Sequence, residues 1–345
     1  MSTPTTTIAA STTTNPSSAT SSCVSAVPGK NGYVPPSACN ALYSYNPSFA
    51  AAVVFTVIFG IITGVHLIQA ISYRKKFCWV IVMAASWETC SFVLRILGTR
   101  NQQNVTYVTV SQILLLLAPL WINAFDYMIL GRMVYYFLPE QNLFHIHATK
   151  FSVCFVWLDI VSFLVQATGG IILSGTNESR HLLNIGKDIY MAGIGMQQFF
   201  ISIFVVMTVV FHQRVVVLDE QGTLSESGKR PWSHLLYALY ASLMLITIRI
   251  IFRLTEYARG TGSNNPIPYH EAFMYCLDAL PMALALYIMS LIHPARTLVG
   301  PDSEFPKVTR AEKKLAKQMK KEEKREMKAA KERSRGMITF LPTAK

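Results

Sequence analysis

The sequence predicts an all-α, polytopic membrane protein with seven transmembrane helices, its N-terminus outside and its C-terminus cytosolic. Hydrophobic residues make up 51% of the 345 and charged residues only 14%, against about 25% charged in ordinary soluble chains. The charge is also concentrated. Residues 293–345 hold 15 of the 31 lysines and arginines, whereas residues 1–48 hold one lysine and no acid. Between these ends lie seven apolar runs, about 49–71, 77–98, 108–131, 151–174, 189–211, 234–257 and 270–292. At ~1.5 Å per residue, each run is long enough to cross a hydrocarbon core of ~30 Å.

Three regions follow: a Ser/Thr-rich extracellular head over 1–48, expected to be disordered, a transmembrane domain over 49–292, and a basic cytosolic tail over 293–345. The first 25 residues carry neither a charged leader nor an apolar core, so the first span is expected to act as the insertion signal. Cys23 and Cys39 share the outside segment and can form one disulfide, which spacing alone leaves open. Cys78, Cys90, Cys154 and Cys276 fall in or beside apolar segments, where thiols pack as small hydrophobes.

Orientation follows from the loops. With the N-terminus outside, the cytosolic loops carry Arg74, Lys75, Lys76, Arg132, Lys150, Arg214, Lys229 and Arg230, and then the tail. The outside segments carry only Lys30, Arg100, Arg180, Lys187 and Arg259, which obeys the positive-inside bias. The two usable glycosylation sequons, at Asn104 and Asn177, both fall outside in this arrangement. The tail from Arg310 to Arg335 is rich in helix formers with a thin apolar stripe. It reads either as a solvated charged segment or as a polybasic one resting on anionic lipid headgroups. Nucleic acid is not an expected partner, because a membrane-anchored basic tail meets lipid first. The expected membrane is the plasma membrane.

The polar residues inside the spans are the informative ones. Span 2 carries Glu88 and Arg95, span 3 Asn123 and Asp126, span 4 Asp159, Ser162 and Gln166, and span 5 Gln197 and Gln198. Span 6 has Arg249, Arg253 and Glu256, and span 7 Glu271, Tyr275 and Asp278, each trio on one helical face. An ionised group at the bilayer centre costs ~2.5–3.5 kcal/mol even on insertion scales, so these side chains should face inward and find partners. Depth along antiparallel spans 6 and 7 predicts the pairs Arg253–Glu271 and Arg249–Asp278. Six carboxylates (Glu88, Asp126, Asp159, Glu256, Glu271, Asp278) then face three arginines (Arg95, Arg249, Arg253). That surplus points either to protonated or hydrated acids in a structural network, or to a cavity for a cationic or proton-linked amphiphile.

Several chemistries find no support. The loop Gly222–Arg230 is not a phosphate-binding loop, Gly-x-Ser-x-Gly is absent, and span 7 has no lysine for a Schiff base. His66 stands alone, and His145 with His147 lacks zinc-site spacing. No metal, cofactor or enzymatic activity is expected.

The ordered set of polar residues resembles the fungal RTA-like family of lipid-translocating exporters. The pieces run from Tyr33-Val-Pro-Pro36 and Asn40, through His66, Glu88 with Arg95, and Ala118-Pro119 with Tyr127 and Leu130-Gly-Arg132. They continue with Asp159-x-x-Ser-Phe-x-x-Gln166-x-x-Gly-Gly170, Gln197 or Gln198, and Arg249-x-x-Phe-Arg253-x-x-Glu256. The last is Glu271-x-x-x-Tyr275-x-x-Asp278-x-x-x-Met282, ending at His293-Pro294. Phe252 and Phe125-Asp126 depart from the usual pattern. The resemblance implies a seven-helix protein handling lipids or amphiphiles, such as sphingoid long-chain bases, with Glu88, Asp159, Glu271 and Asp278 as candidate headgroup or proton residues. A lipid sensor and a regulator of lipid asymmetry remain alternatives to an exporter.

Overall fold

A computed structural model describes residues 24–144, 146–173, 179–222, 232–258, 266–299, Phe305 and a few tail residues (318–319, 322, 325–327). Seven helices in it are long and apolar enough to cross a membrane. They are α1 (Phe49–Tyr73), α2 (Cys78–Arg100), α3 (Val105–Phe137), α4 (Ala148–Leu173), α5 (Arg180–Glu220), α6 (Trp232–Ala258) and a composite α7. The seventh joins an α turn, Glu271–Met274, a π turn, Tyr275–Ala279, and a regular helix, Leu280–Leu291. Polar caps mark the starts of three of the helices. The side chains of Ser48, Asn104 and Ser179 accept from the backbone N–H of Ala51, Tyr107 and Leu182 at the first turns of α1, α3 and α5.

Each helix packs on its sequence neighbour, and α7 returns to α1, which closes a ring; α3 also touches α5 and α6. That position makes α3 the most enclosed helix, buried on every side from Ile122 to Tyr127. The outer surface is apolar, with Ile61 and Ile68 of α1, Trp157 and Leu164 of α4, and Phe199 and Val206 of α5 all exposed. Glu88, Asp126, Asp159, Arg249, Arg253 and Asp278 are buried. Apolar outside and charged inside is the pattern lipid solvent demands. The chain is a multi-pass membrane protein.

Helices α4 and α5 approach closely because glycines face each other. A Cβ on Gly169 would meet Gly186 O at 2.7 Å, and one on Gly193 would meet Gln166 N at 2.8 Å. Helix α5 begins at Arg180, well before the apolar run expected from 189. Helical hydrogen bonding needs no apolar side chains, so the run marks lipid contact and not the helix end.

Residues 24–48, expected to belong to a disordered head, lie across the face at which α1 starts, called here the N-terminal face. Gln102 N–H donates to Asn31 O at 2.9 Å, Gln103 Nε2 to Gly32 O at 3.1 Å, and Gln102 Nε2 to Asn46 Oδ1 at 3.2 Å. Within the segment, Asn40 bonds both backbone groups of Ala26. Cys39 is disulfide-bonded; Cys23 lies outside the described residues, and the four other cysteines are free. At the opposite face Arg132 sits over the Phe77 ring at 4.1 Å and the Phe305 ring at 5.2 Å.

Candidate functional site

The charged residues of the spans gather into two layers. The first lies in the half of the bundle nearer the N-terminal face and holds all three buried arginines. Arg249 donates through Nε to Asp278 Oδ1, and through Nη2 to the carbonyl of Leu115 at 2.9 Å. Pro119 makes that second bond available. It has no N–H, so the carbonyl four residues earlier in α3 lacks its helical donor, and the guanidinium of α6 takes its place.

Asp278 also pairs with Arg253 Nη2, so one aspartate faces two guanidinium groups. Arg253 reaches Glu256 at 3.2 Å on its own helix. The pair Arg249–Asp278 is the one expected from sequence, but Arg253–Glu271 is not formed. Glu271 instead pairs with Arg95 of α2 at 3.1 Å and accepts from Ser48 N–H at 2.7 Å. Two things account for the difference. Glu271 sits in the first turn of α7, level with the end of α2 at the N-terminal face and with the incoming residues 45–48. The π turn at Tyr275–Ala279 then adds a residue to the helical circuit, which lets Asp278 face both arginines of α6.

Arg95 is held further by the hydroxyls of Tyr45 and Tyr275, the latter at 3.3 Å, and lies over both rings at 5.8 and 5.6 Å. Glu88 is fully buried within electrostatic range of Arg249, Asp278 and Arg253. Neither of its carboxyl oxygens has a hydrogen-bond partner among the described residues. Gln166 Nε2 donates to Gln197 Oε1 at 3.0 Å across the α4–α5 contact.

The second layer lies about 16 Å further along α3. Asp159 accepts from Asn123 Nδ2 at 3.0 Å and from the Tyr127 hydroxyl at 2.9 Å, and Asp126 accepts from Ser242 Oγ at 2.7 Å. The structure therefore separates Asp126 and Asp159 from the arginines. The carboxylates paired with arginine are Glu256, Glu271 and Asp278; with Glu88 the arginine layer holds four acids against three arginines, so the expected surplus of three falls there to one. Asn104 is at the N-terminal face with its Oδ1 engaged as a helix cap; Asn177 lies outside the described residues.

A cavity of about 540 Å³ opens beside the first layer. Residues 42–45 roof it, Arg95, Arg253, Glu256 and Tyr257 line its wall, and Lys187 of α5 projects at its side. Burial raises the Tyr43 phenol above its ordinary value. A void of about 20 Å³ lies deeper, bounded by Gln166, Gln197, Arg249 and Arg253, so Arg253 borders both spaces. Beneath it the core is closed by Tyr127, Phe151, Phe155 and Phe204, with ring centroids 4.6–5.7 Å apart.

The sequence alone did not single out Tyr43, Tyr45, Ser48, Lys187 or Ser242 as site residues. The Tyr-x-Tyr pair just before the first span is the one signal that could have been used. The remaining contacts join positions more than 100 residues apart. Pro119→Ala tests the α3 arrangement. The restored N–H competes with Arg249 for the Leu115 carbonyl, so the variant should keep its thermal stability while losing most lipid movement in reconstituted vesicles. Unchanged movement would show that the proline bond is not needed.

Comparison with known proteins agrees with this architecture. A family model described as "RTA1 like protein" matches residues 81–300. The chain is 45% identical over 310 residues to the "Probable lipid transporter atnI" of Emericella nidulans, covering 89% of this chain and 81% of that one. It is 28% identical over 285 residues to "Protoporphyrin uptake protein 1" of Saccharomyces cerevisiae, covering 72% and 91% of the two chains. With the "Sphingoid long-chain base transporter RSB1" of the same organism it shares 22% over 297 residues, 77% of each. No solved structure matches. A seven-helix bundle with this arginine layer and these relatives belongs to the RTA1-like family.

Proposed function

We propose that the chain translocates long-chain amphiphilic lipids across the membrane, with the cavity at the N-terminal face as the headgroup site. The observation that carries this is the 540 Å³ space bordered by buried charged groups inside an otherwise apolar bundle. Sites for small molecules typically occupy ~300–1,000 Å³, and the cost of burying so many ions is a mark of function in a membrane span. The smaller void on the far side of Arg253 lies on the inward continuation of the path.

The finer features follow from charge. The basic tail and loops favour a cytosolic C-terminal face, which puts the cavity outside, and the plasma membrane is the expected site. In that arrangement the tail can rest on anionic headgroups of the inner leaflet. A sphingoid long-chain base is the first substrate to try, since a relative bears that name.

The test is transbilayer movement of a labelled sphingoid base in liposomes holding only the purified chain, with a pH gradient on and off. Movement above empty liposomes is the expected result, and dependence on the gradient would implicate Glu88, a buried acid with no hydrogen-bond partner among the described residues. No movement of any amphiphile by folded protein would overturn translocation. It would favour a lipid sensor, for which the closed aromatic floor of the cavity is the supporting feature.

A further inference from the structure

We propose that the cavity at the N-terminal face selects amphiphiles by an acidic headgroup, a phosphate or a carboxylate, held between Lys187 and Arg253. The assignment rests on the translocation proposed for this cavity and names the chemistry of its cargo. The sequence points the other way, because six carboxylates against three arginines suggest a site for a cation. The structure leaves one acid of that surplus, Glu88, in the arginine layer, and Glu88 does not line the cavity. Asp126 and Asp159 lie in the second layer on Ser242, Asn123 and Tyr127. Glu271 and Asp278 are taken up by Arg95, Arg249 and Arg253.

The charged lining is Arg95, Arg253 and Lys187 with one acid, Glu256; both arginines are paired with carboxylates, so Lys187 is the lining cation left without one among the described residues. Two donors there remain unused. Lys187 makes no hydrogen bond or ion pair among the described residues and is partly exposed toward the cavity. Arg253 is 5% exposed, yet its Nε has no acceptor among the described residues. A buried guanidinium N–H without a partner costs free energy that a ligand oxygen would recover. The neutral donors Gln112 and Asn184 complete a lining suited to an oxyanion. An alkylammonium entering alone would meet Lys187, so a long-chain base is expected to be the weaker cargo of the two.

The experiment is equilibrium binding to the purified full-length chain in detergent, with dodecyl phosphate, dodecanoate, dodecylamine and inorganic phosphate as probes. Both acidic amphiphiles should bind about tenfold or more tightly than the amine, the increment of one charge-assisted hydrogen bond. Lys187→Glu should lose that preference without a change in unfolding temperature, since Lys187 holds no other group among the described residues. Lys187→Gln should fall between.

Equal or tighter binding of dodecylamine would overturn the headgroup assignment and leave translocation standing. A preference that survives Lys187→Glu would also overturn it. Inorganic phosphate binding as well as dodecyl phosphate would show an anion site with no use for the chain, which overturns the amphiphile. No binding of any probe would overturn both the assignment and the cavity's role in translocation.

Discussion

Asp278→Ala is expected to leave little folded protein. Asp278 is fully buried and is shared by Arg249 and Arg253, themselves 5% exposed each. Removing one partner of a buried ion pair costs about 3–5 kcal/mol, because the partner's charge stays buried without compensation. Here two guanidinium groups lose the same counter-ion, and among the described residues Arg253 keeps Glu256. Since whole domains are stable by roughly 5–15 kcal/mol, the variant should elute as aggregate on size exclusion in detergent. A second substitution separates charge from shape. Arg249→Leu combined with Asp278→Leu removes an opposite pair and leaves Arg253 with Glu256, so the double variant should be more stable than Asp278→Leu alone. Exchanging the two side chains, Arg249→Asp with Asp278→Arg, should likewise recover part of the loss. A double variant no better than the single one would show that Asp278 is needed for something other than neutralising Arg249.

Gly169→Ala should be nearly as damaging, although it adds a single methyl group to a helix. Its Cβ would run into the Tyr190 backbone nitrogen and sit 2.7 Å from Gly186 O. Backbone atoms cannot swing aside, so α4 and α5 must separate. The Gln166–Gln197 bond depends on the same close approach. Overpacking a tight contact costs about 1–3 kcal/mol or more, against a helix-propensity gain of about 1 kcal/mol for replacing glycine by alanine. Gly195→Ala is the control. It lies in α5 with nothing within 4 Å of the added carbon and should hold or slightly raise the unfolding temperature. If both variants melted alike, the α4–α5 approach would not be what the glycines provide.

Much of the architecture was legible beforehand. All seven spans, their order and the inward placement of Glu88, Arg95, Arg249, Arg253 and Asp278 follow from local chemistry, because apolar length and the cost of a charge in lipid are properties of each segment by itself. The Arg249–Asp278 pair was legible too, since α6 and α7 are consecutive and antiparallel. The Arg253–Glu271 pair was misjudged for a reason no spacing rule contains: the π turn re-aims Asp278, and Arg95 of α2 competes for Glu271. The head shows the same limit. Its composition reads as unstructured, yet residues 24–48 bond to the α2–α3 connection and to Glu271.

The cavity was invisible in the sequence. Tyr43, Tyr45, Arg95, Lys187, Arg253 and Glu256 come from the head and from α2, α5 and α6, and periodicity says which face of a helix turns inward but not which inward faces meet. The change in charge balance has the same origin. Counting acids and bases along the chain sums over both layers, whereas a ligand senses only those within a few ångströms. The sequence by itself determined a seven-span membrane protein with ions in its interior, because burial in lipid is decided residue by residue. The tertiary structure alone decided how those ions divide between two layers and which remain free to meet a headgroup, because pairing depends on distances across the bundle.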